Sequence, residues 1–334
     1  MAGKKRGNRR PGKSERKIGQ LQIDIEAEYD YDNIFKTWLS EEIIEEFSEK
    51  ENKVLNHYLP HRPVIKTHGT TKIRPVFDAS ACKKGSPSLN QCLEKGPNLI
   101  ELVPSSPNRF REYEIDVVSD VKQVFLQIGI NELDRNYFHF LWIREGELIT
   151  FLHCRVVFGL ACSPFLLAAV INLILIKALE KAKMDIDSGW SVSSVEKLRQ
   201  SFYVDNCVTS VESEVERDKF ERETKAIMAT GNFDLRRCES TGDCSIGETS
   251  LVIGLLWNKK KDVISINPAV LNLENQKNVT KRTMSSAAHR VFDSIGFSSP
   301  VTLLPKLLLQ ELWAKKKTGS LLLMINVARY LPHG

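Results

Sequence analysis

Apolar and polar positions along this chain predict a mixed body of strands and helices behind a polar leader. Residues 1–20 hold almost no apolar side chains, so they have little to bury and are expected to stay disordered. From Asn33 to Lys50, Ile34, Trp38, Ile43, Ile44 and Phe47 recur at near-helical spacing with acids between them. That pattern predicts an amphipathic helix leading into the fold. Strand patterns follow at 73–79 (IRPVFDA), 113–119 and 148–158 (LITFLHCRVVF). Pro164 stands where a helix can begin, because the first turn does not use the N–H that proline lacks. This helix is expected to run to about Lys183. Its apolar stretch from Phe165 to Ile176 contains Asn172 and is too short to span a bilayer, so it reads as buried.

Residues 201–210 (SFYVDNCVTS) are two short β-prone halves around Asp205-Asn206, which predicts a hairpin with these residues at its tip. A charged helix over about Glu212–Thr230 is closed by Gly231. Two more strands are expected at 250–257 and 262–266, joined by a Lys-rich turn. Two helices complete the pattern: Thr283–Ser294 before Gly296, and one led in by Ser299-Pro300 that Pro305 should kink or restart. The succession predicts an α+β fold, a palm-like sheet with helices packed on one face.

The net charge of the 334 residues is only +5, but its distribution is uneven. Residues 1–20 carry +7, residues 21–52 carry −9, and the rest carry +7. A basic body behind an acidic stretch suits a nucleic-acid binder, since Lys and Arg displace counterions from phosphates. Seven cysteines with no C-x-x-C pair argue against a disulfide framework and a structural zinc site. No apolar stretch follows the basic opening, so no signal peptide is expected and the location expected is intracellular, cytoplasm or nucleus. No phosphate-binding glycine loop and no Gly-x-Ser-x-Gly elbow is present. His57 and His61 bracket Tyr58-Leu59-Pro60 and read as packing or surface residues rather than a zinc pair.

Two aspartates remain as candidate chemistry. Asp120 ends an apolar strand (IDVVSD), and Asp205 tops the expected hairpin. Phosphoryl transfer needs positioning and charge stabilisation, commonly by two divalent ions about 3.5–4 Å apart. Mg²⁺ binds carboxylate oxygens, so carboxylates converging from separate strands are the minimal protein part.

Their context carries a resemblance. Residues 57–85 (HYLPHRPVIKTHGTTKIRPVFDASACKKG), 119–130 (SDVKQVFLQIGI), 157–165 (VFGLACSPF) and 202–208 (FYVDNCV) resemble the reverse transcriptase of BEL/Pao-type LTR retrotransposons. So do 231–243 (GNFDLRRCESTGD), 252–262 (VIGLLWNKKKD) and 291–313 (VFDSIGFSSPVTLLPKLLLQELW), in the family's own order. The resemblance implies an RNA-directed DNA polymerase with Mg²⁺ or Mn²⁺ as cofactor. A template of RNA or DNA, a primer and dNTPs are its implied partners, and no membrane. It implies a leader at 1–31, a leading helix at 32–52, fingers and palm at 53–245, and a truncated thumb or connection-like region at 246–334.

By the same resemblance Asp120 and Asp205 are metal ligands, and Asn206 stands where such enzymes usually carry a further aspartate. Lys72 and Arg74 match the fingers strand that holds the triphosphate, and Phe125 the aromatic gate against a nucleotide 2′-hydroxyl. Phe158 and Gly159 match a nucleotide-binding segment, Ser163 and Pro164 its template side. Tyr203, Leu255, Leu256 and Trp257 match positions near the primer. The family polyprotein also carries a ribonuclease H and an integrase, and no segment of this chain is expected to fit either.

Two other readings stay open. Asn206 removes one negative charge from the site, which allows a nucleic-acid-binding remnant without polymerase activity. An aspartic peptidase is the weaker alternative, because Asp78-Ala-Ser and Asp293-Ser-Ile both lack the glycine of the peptidase turn.

Overall fold

The computed structural model describes residues 25–47, 56–65, 73–97, 105–184, 189–245, 247–267, 280–291, 296 and 298–314. In chain order the elements are α1 (Ile25–Ser40), β1 (Ile44–Glu46), β2 (His61–Ile65), β3 (Ile73–Phe77), α2 (Leu89–Cys92), α3 (Ser105–Phe110) and β4 (Ile115–Val121). Two 3₁₀ turns, Val124–Gln127 and Glu132–Tyr137, lead to β5 (His139–Arg144) and β6 (Glu147–His153). Then come α4 (Ser163–Met184), α5 (Val192–Ser201), β7 (Phe202–Tyr203), β8 (Asn206–Val211), α6 (Glu214–Ala229) and β9 (Leu235–Ser240). The last elements are β10 (Thr249–Val252), β11 (Leu255–Asn258), β12 (Val263–Ser265), α7 (Lys281–Arg290) and α8 (Ser299–Ala314). Two compact units share the chain, one of Met1–Pro97 with Gln123–Leu167, the other of Asn98–Lys122 with Ala168–Gly334.

In the first unit α1 ends earlier than its apolar spacing predicted. Glu42 takes a left-handed backbone (φ 55°), and the Ile43 N–H donates to the Trp38 carbonyl at 2.8 Å. This wrapped helix end throws Ile43 and Ile44 out of the helix. Ile44 starts β1, which pairs antiparallel with β6 in a sheet of order β1-β6-β5. β2 and β3 form a separate antiparallel pair.

The core of this unit is aromatic, with Tyr31, Phe35, Phe77, Phe140 and Phe151 buried around His61 and His153. His61 is consumed structurally. Its Nε2 lies 2.9 Å from the Leu141 carbonyl, which makes that nitrogen the donor and leaves Nδ1 to accept from the Tyr31 hydroxyl at 2.9 Å. Burial, then the neighbouring His61, drives His153 down to about 3, so it sits neutral in the core.

The second unit is built on an antiparallel sheet of order β7-β8-β4-β9. β4 and β8 are buried along nearly their whole length, which explains why both read as apolar runs. The expected α+β sheet with packed helices is present, and the β10–β11 hairpin adds a second covering. Helix α6 packs on one side. On the other, Val118 and Val208, directly opposite in the sheet, join Phe110 of α3 with Val252 and Trp257 of the β10–β11 hairpin. Trp257 is fully buried, edge-on to Phe110 at 5.0 Å between ring centroids.

The stretch 250–257, expected as one strand, is two strands. Val252 pairs with Leu255 across a turn in which Ile253 and Gly254 both have positive φ. Only the glycine signals such a turn, and an isoleucine beside it hides it. Helix α8 runs through Pro305 rather than restarting there.

Candidate active site

The chain turns from β7 to β8 through two residues, Val204 and Asp205, with Tyr203 paired to Asn206. The predicted tip was Asp205-Asn206; it lies one residue earlier, and Asn206 is the first residue of β8. Val204 has φ 55°. A left-handed β-branched residue costs on the order of 1–3 kcal/mol and persists only where its surroundings enforce it.

On the neighbouring strand, Asp120 stands directly opposite Asn206. The Val121 N–H donates to the Asp205 carbonyl at 3.1 Å, and the Lys122 N–H to the Asp234 carbonyl at 2.9 Å. The sheet therefore brings Asp120, Asp205 and Asn206 together from positions 85 residues apart. The Asn206 side-chain amide donates to Asp205 Oδ1 at 2.9 Å. Asp120 Oδ1 is buried and has no hydrogen-bond partner. A buried carboxylate oxygen left unpaired is costly. A cation would satisfy it, so the donor set of Asp120 and Asp205 fits a hard divalent ion. No group of three or more His, Cys, Asp or Glu suited to a metal occurs among the described residues. Tyr203 sits beside the pair, its hydroxyl pushed upward by burial and then by the Asp205 charge.

Asp116, four residues back on the same strand, shows the contrast. It is 1% exposed and paired with Arg111, which also binds Asp262. Burial raises the Asp116 carboxyl to about 8 against the pull of Arg111, with the Asp262 charge adding to the rise. Burial also pushes Asp262 up, but hydrogen bonds from Arg111 and Trp257 outweigh it and the net is downward. Through Arg111 the two carboxylates tie β4 to the turn after β11. This acid is architectural.

The first unit carries other predicted site residues. Arg74 is exposed on β3, and Lys72 lies outside the described residues, as does Asp293. Phe125 is 5% exposed and packs edge-on against Phe158, 4.6 Å between centroids; Phe158 is 44% exposed. Gly159 has φ 110°, and a Cβ there would come within 2.2 Å of the Phe77 carbonyl oxygen. Its close backbone approach is thus to the protein itself. Ser163 is buried, its hydroxyl given to the Val157 carbonyl at 3.0 Å, while Pro164 is half-buried in the first turn of α4. In the second unit Leu255 and Trp257 lie in the core and Leu256 is partly buried.

Sequence reasoning missed Asn90, whose side chain bonds to Ser80, Gly159 and Ala161. Its neighbourhood in the sequence offers no motif, and only the fold brings 90 and 159 together. Asp78 accepts from the Ser80 N–H at 3.2 Å, the role of a turn residue rather than a peptidase acid.

Comparison with solved structures places the fold. A foamy viral protease-reverse transcriptase in complex with double-stranded DNA aligns with TM-score 0.58 at 17% identity, over 93% of this chain and 48% of that one. A foamy viral protease-reverse transcriptase with an RNA/DNA hybrid aligns with TM-score 0.59 at 13% identity, over 92% and 36%. A further complex with double-stranded DNA gives 0.56 at 14% identity, over 92% and 56%. The chain spans roughly a third to just over half the length of these proteins. It has a reverse transcriptase-like α+β fold.

Residues 280–320 match the family model described as Pao retrotransposon-like RNaseH-like domain, in agreement with the BEL/Pao resemblance of the sequence. That description corrects the expectation that nothing here is of ribonuclease H type. Its described part holds α7 and α8. No curated protein is matched by the sequence. No helix among the described residues is long and apolar enough to cross a membrane.

Proposed function

We propose that this chain is the reverse transcriptase region of a retrotransposon, an RNA-directed DNA polymerase that adds dNTPs to a primer 3′-hydroxyl on an RNA or DNA template. The observation that carries the proposal is the meeting of Asp120 with Asp205 and Asn206 at one end of a buried antiparallel sheet, with Asp120 Oδ1 left unpartnered.

In this reading Asp120 and Asp205 hold divalent ions, Mg²⁺ or Mn²⁺, which when bound supply charge stabilisation to the transferring phosphate. The residues of the chain do the rest. The strained Val204 turn presents Asp205 at the strand end, and the Asn206 amide fixes the orientation of its carboxylate. Asn206 keeps a neutral oxygen of similar size but contributes no charge, which weakens the hold on cations. Arg74, exposed on β3, offers a guanidinium fork for the triphosphate, with Lys72 beside it in sequence. Phe158, exposed and packed on the buried Phe125, presents aromatic bulk to the sugar, the group that distinguishes ribo- from deoxyribonucleotide. The buried Leu255 and Trp257 support the sheet from below, so their part in holding a primer is carried by the backbone of their hairpin.

Primer extension on an RNA template with Mg²⁺, and separately Mn²⁺, tests this. Template-directed products are expected from the wild type. Asp120→Asn should lower the rate by about 10³-fold or more, the scale of losing an electrostatic stabiliser. Asn206→Asp should raise activity in Mg²⁺. Asn206 itself favours one second reading, a binding remnant. Template binding without incorporation in either metal would establish that reading in place of the polymerase.

A further inference from the structure

The loop that carries Phe158 is held from outside by one side chain. Asn90, in the short helix α2, spends both amide protons and its carbonyl on three partners. Nδ2 donates to the Gly159 carbonyl at 2.9 Å and to Ser80 Oγ at 2.9 Å, while Oδ1 accepts from the Ala161 N–H at 2.8 Å. Its own backbone N–H donates to the Ala79 carbonyl at 3.0 Å. The turn after β3 is thereby bolted to residues 159–161, and the Ser163 hydroxyl closes the loop on itself through the Val157 carbonyl. Gly159, pressed against the Phe77 carbonyl, adds a contact that only glycine fits. The outcome is an exposed ring, Phe158, standing edge-on over a buried one, Phe125. Aromatic surface exposed on a loop with this many fixed points is a preorganised platform, because its orientation is set before any ligand arrives.

We propose that Phe158 is the ring whose face meets the incoming nucleotide, with Phe125 as the support beneath it, and that Asn90 is the positioning residue that sets their angle. The proposal rests on the polymerase reading. The matched position Phe125, 5% exposed, acts through its neighbour rather than by direct contact. Nucleotide selection then depends on a hydrogen-bonded side chain in a segment with no chemistry of its own.

The test uses the full chain stalled on a template with a dideoxy-terminated primer, so that binding is read without turnover. Affinity for the templated dNTP and the matching rNTP is measured for wild type, Asn90→Asp, Asn90→Ala, Phe158→Ala and the Asn90→Asp/Phe158→Ala double variant. Asn90→Asp keeps the acceptor for Ala161 but sets a carboxylate oxygen against the Gly159 carbonyl. Each single variant is expected to weaken dNTP binding and dNTP-over-rNTP preference about tenfold, the scale of a small misplacement of a positioning group. Template–primer affinity should stay within about twofold, and the double variant should be no worse than Phe158→Ala, since the two act as one unit. Should the Asn90 variants fail to fold, Ser80→Ala removes one anchor only and should give a smaller loss in the same direction.

Wild-type preference retained in Asn90→Asp, fully additive losses in the double variant, or a stalled complex with no nucleotide dependence would each overturn the proposal. Extension of an unblocked primer is scored separately. A wild type that selects dNTP when stalled but does not extend contradicts the polymerase reading and leaves this inference standing.

Discussion

Two hairpins of the second unit turn in the same number of residues, each with a β-branched residue at positive φ: Val204 between β7 and β8 (φ 55°), and Ile253 between β10 and β11 (φ 46°). Backbone strain by itself therefore marks no active site in this molecule. The two turns differ in their next residue and its surroundings. Ile253 precedes Gly254, also at positive φ, and its side chain packs against the cluster of Trp257, Val118 and Val208. Val204 precedes an aspartate whose carboxylate is oriented by the Asn206 side chain, opposite a second aspartate with an unpartnered buried oxygen. One turn stores strain to seal a core, the other to present charge. The distinction lies in the side chains around the tip.

The largest effect that separates the two comes from the core. Trp257→Ala should cost about 3–5 kcal/mol, the range for deleting a fully buried aromatic ring. A urea or thermal melt would read it as a much earlier unfolding transition. Any loss of polymerase activity should follow the loss of folded protein. Full activity with unchanged stability would mean that the hairpin is no part of the core.

Next come the turn residues themselves. Val204→Gly relieves left-handed strain where little packing is lost, so stability should rise by about 0.5–1 kcal/mol while activity falls. Ile253→Gly removes packing as well as strain, and a net loss of about 1 kcal/mol is expected. Opposite signs in paired melts would set the two turns further apart; equal signs would make them alike.

The remaining effect is electrostatic and lies away from both tips. Asp116 has its folded pKa raised to about 8 from an ordinary carboxylate value, so its contribution to stability is complete below about pH 4. It declines as pH rises through about 8. Asp262, shifted downward, contributes in the opposite sense, but its contribution is complete above about pH 4 and stays constant across this range. Melting temperature followed from pH 5 to pH 9 should fall more steeply in the wild type than in Asp116→Asn, which has no proton to lose. Parallel curves would rule out the raised pKa of Asp116.

Much of the second unit was legible because its strands are buried on both faces and its helices are bounded by clear signals. Ser191 caps α5 and Ser213 caps α6. The two aspartates were legible as strand-end acids in a resembling context. Three features were not. The end of α1 depends on a glutamate at φ 55°, and a glutamate announces no such turn. The β10–β11 turn hides behind Ile253. Asn90 is visible only once residues 79–90 and 159–161 are in contact, a pairing of distant segments that no periodicity reveals. Asp116 and Asp120 likewise look alike in IDVVSD, and both have a buried Oδ1 without a hydrogen-bond partner; the Arg111 ion pair at Asp116 and the pairing of Asp120 with Asn206 separate a structural acid from a candidate metal ligand.

The polymerase reading stands on Asp120 and Asp205 as a metal-binding pair. Mn²⁺ binding, by electron paramagnetic resonance, tests that pair in wild type, Asp120→Asn and Asp205→Asn bound to template–primer, with extension assayed on the same samples. Both variants are expected to lose bound Mn²⁺ and extension together while remaining folded. Undiminished Mn²⁺ binding in either variant, or extension that survives Asp120→Asn, would contradict the assignment.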